Sequence, residues 1–129
     1  MIAGIGVDIV DIARVEALLS RYGNRFLARV FTEGEAGYAM SCARPAERLA
    51  GRFAVKEAVM KALGTGKSHG ILWKDIETVR ARGGRPTVRL YGNAANLAKQ
   101  KGNASVHVTI AHDGGKAVAF VVLESGETG

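Results

Sequence analysis

Apolar residues alternate with small or charged ones near the start of the chain, between residues 3 and 10. Such a period of two predicts a strand. One face would carry three branched residues and the other two glycines and an acid: Ile5, Val7 and Ile9 against Gly4, Gly6 and Asp8. Because two glycines on one face often mark a close approach by a ligand or by backbone, we expect Asp8 to stand at the end of a cleared strip. A solvated Asp8 on a twisted edge strand is the alternative.

Helical periodicity follows this strand. Apolar residues at helical spacing predict a helix over residues 12–22, and a second short helix over residues 24–30. Thr32 and Glu35 form a capping box, which begins a third helix that ends near Cys42.

The longest predicted helix begins at Pro45, runs to Leu63 and ends at Gly64. One stripe of this helix carries two alanines followed by Glu57 and Lys61, and the alanines leave room beside the acid and the amine. Glu57 and Lys61 could also be an ordinary surface pair at this spacing, which would stabilise the helix by only about 0.2–0.5 kcal/mol. Taken alone, the spacing favours this simpler interpretation.

The second half of the chain predicts two strand pairs separated by a short helix. They are strands 75–82 and 86–91 around Gly83 and Gly84, a helix over 93–101 with Asn93 as its N-cap, and a hairpin of strands 105–111 and 116–124. Residues 117–123 are apolar throughout, so that strand is expected to be covered on both faces. We predict a single domain over residues 1–124 and a frayed tail over 125–129.

Composition narrows the class of protein. A chain of 129 residues with 47% hydrophobic and 23% charged residues fits one globular domain. The lone Cys42 excludes an internal disulfide and suits a reducing cytosol. The apolar start lacks a basic leader and no stretch is long enough to span a bilayer, so we expect a soluble cytoplasmic protein. A net charge of +6 favours anionic partners without choosing among nucleic acid, an acidic protein and phosphorylated small molecules.

Asp8 and Glu57 are the candidate chemical residues. An acid in an apolar strand and an acid on an Ala-rich helix are costly to desolvate unless a cation or a partner compensates them. Together they would form a divalent-metal site with Lys61 beside it as a phosphate-binding group. The segment 64–68 is not a P-loop, because it follows a helix rather than a strand. His112 closes a strand and suits a phosphate contact, although a histidine that ties down a turn is more common.

Three ordered segments resemble one family. They are GIGVDIV over 4–10, GRFAVKEA continuing to KALGTG over 51–66, and VHVTIAHD over 106–113. They closely resemble the short-type 4′-phosphopantetheinyl transferases, the holo-[acyl-carrier-protein] synthases. The resemblance implies an α+β fold of that family, in which one long helix packs on an antiparallel sheet and the domain assembles as a homotrimer. One departure is Ala111, where the family usually has a second hydroxyl after the one that Thr109 retains.

The resemblance also implies a reaction and a site. Such enzymes transfer 4′-phosphopantetheine from coenzyme A to a serine of apo acyl carrier protein and release adenosine 3′,5′-bisphosphate. Asp8 and Glu57 match the Mg²⁺ ligands, and Lys61 would contact the pyrophosphate. Arg52 and His112 are further phosphate contacts, and His112 would come from the neighbouring subunit. The acceptor of the serine proton stays open between a water held at the site, Glu57 and Asp8.

The partner expected from the resemblance is an acidic carrier protein. Five residues of the first two helices would bind it: Arg14, Leu18, Arg25, Phe26 and Arg29. Two rival interpretations are a basic α/β nucleic-acid-binding domain and a non-catalytic trimer that binds coenzyme A. Aromatic residues make up only 6% of the chain and form no run interleaved with basic residues, which speaks against the first rival. Only the hydroxyl missing at Ala111 supports the second.

Overall fold

A computed structural model describes residues 1–81 and 83–126, and in these residues helices cover one face of an antiparallel sheet. The strands are β1 (Ile2–Asp11), β2 (Ile76–Arg80), β3 (Pro86–Leu90), β4 (Ser105–Asp113) and β5 (Lys116–Glu124). The helices are α1 (Ile12–Tyr22), α2 (Asn24–Val30), α3 (Glu33–Met40), α4 (Pro45–Leu63) and α5 (Gly92–Gln100), and a 3₁₀ turn (Trp73–Asp75) precedes β2. The predicted α+β class and its long helix on an antiparallel sheet are confirmed.

Three strands form the main sheet in the order β1-β5-β4, and β2 pairs with β3 in a separate sheet of two. The β4–β5 hairpin turns at Gly114 and Gly115, whose φ angles of +57° and +78° suit a tight two-residue turn. In the register of the main sheet, Asp8 lies opposite Ala119, and Ala119 lies opposite Ile110. Because β1 and β4 are the outer strands of this sheet, Asp8 and His112 lie on opposite edge strands.

The backbone of α4 lies directly against β1. A Cβ atom at Gly6 would lie 2.0 Å from the carbonyl oxygen of Ala58, and one at Gly4 would lie 2.1 Å from that of Ala62. Only glycine permits this approach. The cleared strip predicted from the sequence is present, and the backbone of a helix fills it.

The opposite face of the main sheet is exposed and apolar. On the inner face of β5, Ala119 and Val121 are fully buried, whereas Phe120 on the outer face is 43% exposed. Neighbouring β1 adds Val7 and Ile9 to the outer face, 47% and 60% exposed. The prediction that residues 117–123 are covered on both faces is therefore wrong for the single chain.

A buried ion pair and its hydrogen bonds join α3, α4, the 3₁₀ turn and β2. Lys56 and Glu35 are completely buried, with Lys56 Nζ 2.7 Å from Glu35 Oε1. Lys56 Nζ also donates to the carbonyls of Trp73 and Ile76, and the second oxygen of Glu35 accepts from the backbone N–H of Thr78 at 2.9 Å. The capping box gave Glu35 a local role, but nothing in the sequence pattern pointed to this pair.

Two smaller predictions need correction. Helix α5 begins at Gly92, and Asn93 is not its N-cap, because the Asn93 amide donates to the carbonyls of His69 and Gly70. Asp75 belongs to the 3₁₀ turn rather than to β2.

The chain ends of the described part leave two expectations open. Arg82, the predicted end of the β2 strand, lies outside the described residues, as do positions 127–129 of the predicted tail. Ser125 and Gly126 donate backbone hydrogen bonds to Met1 and Gly102 at 2.8 and 2.9 Å, so these two residues are held to the domain. None of the helices in residues 1–81 and 83–126 combines the length and the hydrophobicity that a transmembrane span requires.

Candidate active site

Asp8 and Lys61 meet where β1 crosses α4. The Lys61 ammonium lies 2.9 Å from Asp8 Oδ1 and donates to the carbonyl of Val7 at 3.1 Å. The Asp8 side chain is 13% exposed and that of Lys61 is 53% exposed. Lys61 is therefore the solvent-accessible member of the pair, and a phosphate could replace Asp8 as its partner.

Glu57 completes this group one helical turn before Lys61. Partial burial, a side-chain hydrogen bond with Asp8 and the Asp8 charge raise the pKa of Glu57 from 4.5 to about 7, against the opposing charges of Arg14 and Lys61. Burial of the Glu57 carboxylate and its repulsion with the neighbouring Asp8 carboxylate both favour the protonated form. The side-chain hydrogen bond brings Asp8 and Glu57 together, and their sharing of a metal ion stays a prediction.

A small cavity of about 180 Å³ adjoins this group, lined in part by Glu57, Lys61, Lys67 and Trp73. The Lys67 ammonium lies 5.4 Å from the centre of the Trp73 ring and donates to the Ile71 carbonyl at 2.8 Å. Sequence reasoning missed Lys67 and Trp73, because the loop after α4 carried no signal beyond its rejected P-loop likeness.

Arg52 and His112 form a second group around a cavity of about 250 Å³. His112 Nε2 lies 3.2 Å from the carbonyl oxygen of Glu47, and a Cβ at Gly51 would lie 3.2 Å from the same nitrogen. Gly51 thus lets the imidazole pack against α4. Arg52 is buried with its guanidinium 4.5 Å from the centre of the Tyr38 ring, and this burial lowers its pKa although the Glu35 charge opposes the effect.

The two groups lie on different sides of α4. Glu57 and Arg52 are five residues apart, which separates their directions by about 140° around the helix axis. Asp8 and His112 stand on opposite edge strands of the main sheet. One chain therefore brings Asp8, Glu57 and Lys61 together, and Arg52 with His112, but does not unite the two groups.

Four of the five predicted partner-binding residues lie near the surface of α1 and α2. Arg14, Arg25 and Arg29 are exposed, and Leu18 is half-buried. Arg14 also connects this surface to the site, because its guanidinium lies 5.9 Å from the centre of the Phe53 ring and its charge acts on Glu57.

Phe26 is the exception among the predicted contacts. Its side chain is only 8% exposed and packs edge-on against Phe31, with the ring centres 5.5 Å apart. In the single chain Phe26 packs into the core, and its role as a partner contact stays a prediction.

A family model described as the 4′-phosphopantetheinyl transferase superfamily matches residues 4–121 of this chain. The chain belongs to this superfamily. Among curated members, a holo-[acyl-carrier-protein] synthase of Desulfovibrio desulfuricans is 50% identical over 97% of this chain and 99% of its own length. One of Koribacter versatilis is 46% identical over 96% and 99%. The family membership predicted from the sequence is confirmed.

Solved structures of superfamily members match the fold as well. The holo-[acyl-carrier-protein] synthase of Neisseria meningitidis superimposes with a TM-score of 0.88 at 31% identity, covering 97% of this chain and all of that one. The Bacillus anthracis enzyme, solved in complex with CoA (3′,5′-ADP), gives 0.81 at 38% identity, with coverages of 98% and 99%.

Proposed function

We propose that this chain is a holo-[acyl-carrier-protein] synthase, which transfers 4′-phosphopantetheine from coenzyme A to a serine of apo acyl carrier protein and releases adenosine 3′,5′-bisphosphate. The observation that carries the proposal is the group of Asp8, Glu57 and Lys61 in a member of this superfamily. Relatives with this activity in their names match along nearly their whole length, and solved relatives contain coenzyme A.

The donors at this group fit Mg²⁺. Mg²⁺ prefers hard oxygen ligands and is usually held by one or two carboxylates together with substrate phosphates and waters. Asp8 and Glu57 supply two such carboxylates, and a bound cation would offset both the burial of Glu57 and its repulsion with Asp8, which raise the pKa of Glu57. Mg²⁺ held there would neutralise the negative charge that develops on the phosphate oxygens.

The side chains of the site would position the reactants rather than form covalent bonds. Phosphoryl transfer depends mainly on alignment and on electrostatic stabilisation of the phosphate oxygens. Lys61 would leave Asp8, donate to the pyrophosphate and stabilise the departing bisphosphate. Arg52 and His112 would hold a phosphate of coenzyme A. We assign the serine proton to a water that is hydrogen-bonded to the carboxylates of Asp8 and Glu57.

The carrier protein would dock on α1 and α2. Arg14, Arg25 and Arg29 present positive charge there without a salt-bridge partner among the described residues. Complementary charge mainly raises the association rate and selects the partner. Because Arg14 also lies near Glu57, a carrier bound to this surface would have its serine close to the site.

We further propose that the chain acts as a cytoplasmic homotrimer with its active sites between subunits. The exposed apolar face, with Val7, Ile9 and Phe120, needs a cover. Assembly would also unite the Asp8–Glu57–Lys61 group of one subunit with Arg52 and His112 of another. In light-scattering measurements, the wild type should have about three times the mass of one chain. Val7→Lys should yield smaller species, and a wild-type monomer would contradict the assembly.

The transfer itself is tested by mixing the protein with coenzyme A, Mg²⁺ and an apo acyl carrier protein and following the carrier by intact mass. The carrier should gain one phosphopantetheine, and EDTA, Asp8→Ala or Glu57→Ala should abolish the gain. Lys61→Ala should slow it strongly, whereas Lys99→Ala on α5 serves as a matched control and should not. An unmodified carrier, in an assay validated with a known transferase, would contradict the enzymatic function.

A further inference from the structure

Two buried side-chain atoms in the described part of the chain have no hydrogen-bond partner, namely Arg52 Nε and Thr78 Oγ1. Both residues line the 250 Å³ cavity beside His112. Thr78 is 4% exposed, and its backbone N–H is bonded to Glu35 while its hydroxyl is free. An unpaired buried hydroxyl destabilises a fold, and native proteins rarely retain one. Two such atoms at one cavity therefore indicate a ligand that pairs with them.

The charge of the cavity defines that ligand as an anion. Arg48, Arg52, Arg80 and His112 line it, and none of the described residues around it is an aspartate or a glutamate. An adjoining cavity of about 270 Å³ shares Thr78, Arg52 and Arg80 but also contains Glu77. Arg89 adds positive charge to that cavity, but its Glu77 carboxylate would repel an anion, so we place the ligand in the cavity of His112, which has no acidic residue among its described lining.

We propose that the Thr78 hydroxyl donates a hydrogen bond to a phosphate group of coenzyme A held in this cavity beside Arg52, and that Thr78 thereby sets affinity for the nucleotide. The inference deepens the proposed function and rests on it. Coenzyme A carries a pyrophosphate and a 3′-phosphate. Because the pyrophosphate reacts at Asp8, Glu57 and Lys61, the 3′-phosphate is the group that we expect in the cavity.

Thr78→Val tests the proposal, because valine keeps the shape of threonine and removes only the hydroxyl. Replacing an unpaired buried hydroxyl by a methyl group should leave the melting temperature unchanged or raise it. Affinity for 3′,5′-ADP, measured by calorimetry, should fall by about tenfold to a hundredfold, the range for a hydrogen bond to a charged group. Thr78→Ser retains the hydroxyl and should keep most of the affinity. Thr87→Val is the control, since Thr87 bonds to the Val79 carbonyl and does not line the cavity.

The ligands in the same experiment identify the phosphate. If Thr78→Val loses affinity for coenzyme A and 3′,5′-ADP but not for dephospho-coenzyme A, the 3′-phosphate is the partner of Thr78. If the variant loses affinity equally for coenzyme A and dephospho-coenzyme A, the pyrophosphate is the partner. Wild-type affinity of Thr78→Val for all three ligands, or equal losses in the Ser and Val variants, would overturn the proposal.

Inorganic phosphate separates this inference from the proposed function. If phosphate stabilises the wild type more than Thr78→Val while coenzyme A does not bind, the anion site stands and the transferase function fails. If neither phosphate nor coenzyme A distinguishes the two proteins, the Thr78 contact is wrong.

Discussion

Gly6→Ala tests whether the approach of α4 to β1 builds the site. The added Cβ would lie 2.0 Å from the Ala58 carbonyl oxygen and 2.9 Å from the Ala62 nitrogen, both backbone atoms that cannot rotate away. Relief to a normal contact requires β1 and α4 to separate by roughly 1 Å or more. Overpacking of this kind costs about 1–3 kcal/mol of unfolding free energy.

The same displacement should reduce activity beyond the loss of stability. Asp8 lies two residues after Gly6 on the same face of β1, and its 2.9 Å contact with Lys61 depends on the position of that strand. A misplacement of about 1 Å can lower a rate about 100-fold. We therefore expect Gly6→Ala to unfold at lower denaturant concentration and, at a temperature where it remains folded, to modify the carrier about 100-fold more slowly.

Gly37→Ala is the matched control for this experiment. Gly37 lies inside α3, and nothing lies within 4 Å of the position that its Cβ would take. The exchange should stabilise the protein by about 0.5–1 kcal/mol through helix propensity and leave activity unchanged. Wild-type stability and activity of Gly6→Ala would refute the inference that this close approach positions Asp8.

Two further predictions concern buried and titrating groups. Lys56→Met leaves Glu35 buried without its cation and should lower the free energy of unfolding by about 3–5 kcal/mol in urea titrations, whereas an unchanged midpoint would contradict the importance of the pair. For Glu57, whose pKa is raised from 4.5 to about 7, the fold favours the protonated form. The metal-free protein should therefore lose about 1 kcal/mol of stability, after allowance for solvent screening, as pH rises from 4.5 through 7. Glu57→Gln should flatten this slope in melting curves at several pH values, and an identical slope in both proteins would exclude Glu57 as its source.

Signals from neighbouring residues in the sequence predicted most of the helices and strands. The capping box of Thr32 and Glu35 and the proline that begins α4 placed helix starts correctly, and Gly64 ends α4 with φ +82°. These signals act within a few residues, so they can be interpreted without knowledge of the fold. The N-cap assigned to Asn93 failed because its amide is used by the distant loop of His69 and Gly70.

The candidate site was determined by sequence only in part. The family motifs pointed to Asp8, Glu57 and Lys61, and the fold brings them together. The burial of Phe26 against Phe31 could not be predicted, because helical periodicity identifies an apolar face without saying what covers it.

Tertiary structure alone decided the contacts between residues far apart in the chain. The buried pair of Lys56 and Glu35, the unpaired hydroxyl of Thr78 and the separation of His112 from Asp8 depend on how α4 lies against the sheet. Periodicity gives the direction of a side chain relative to its own element, whereas its neighbours and its burial are set by packing between elements, which is where desolvation and charge acquire their effect.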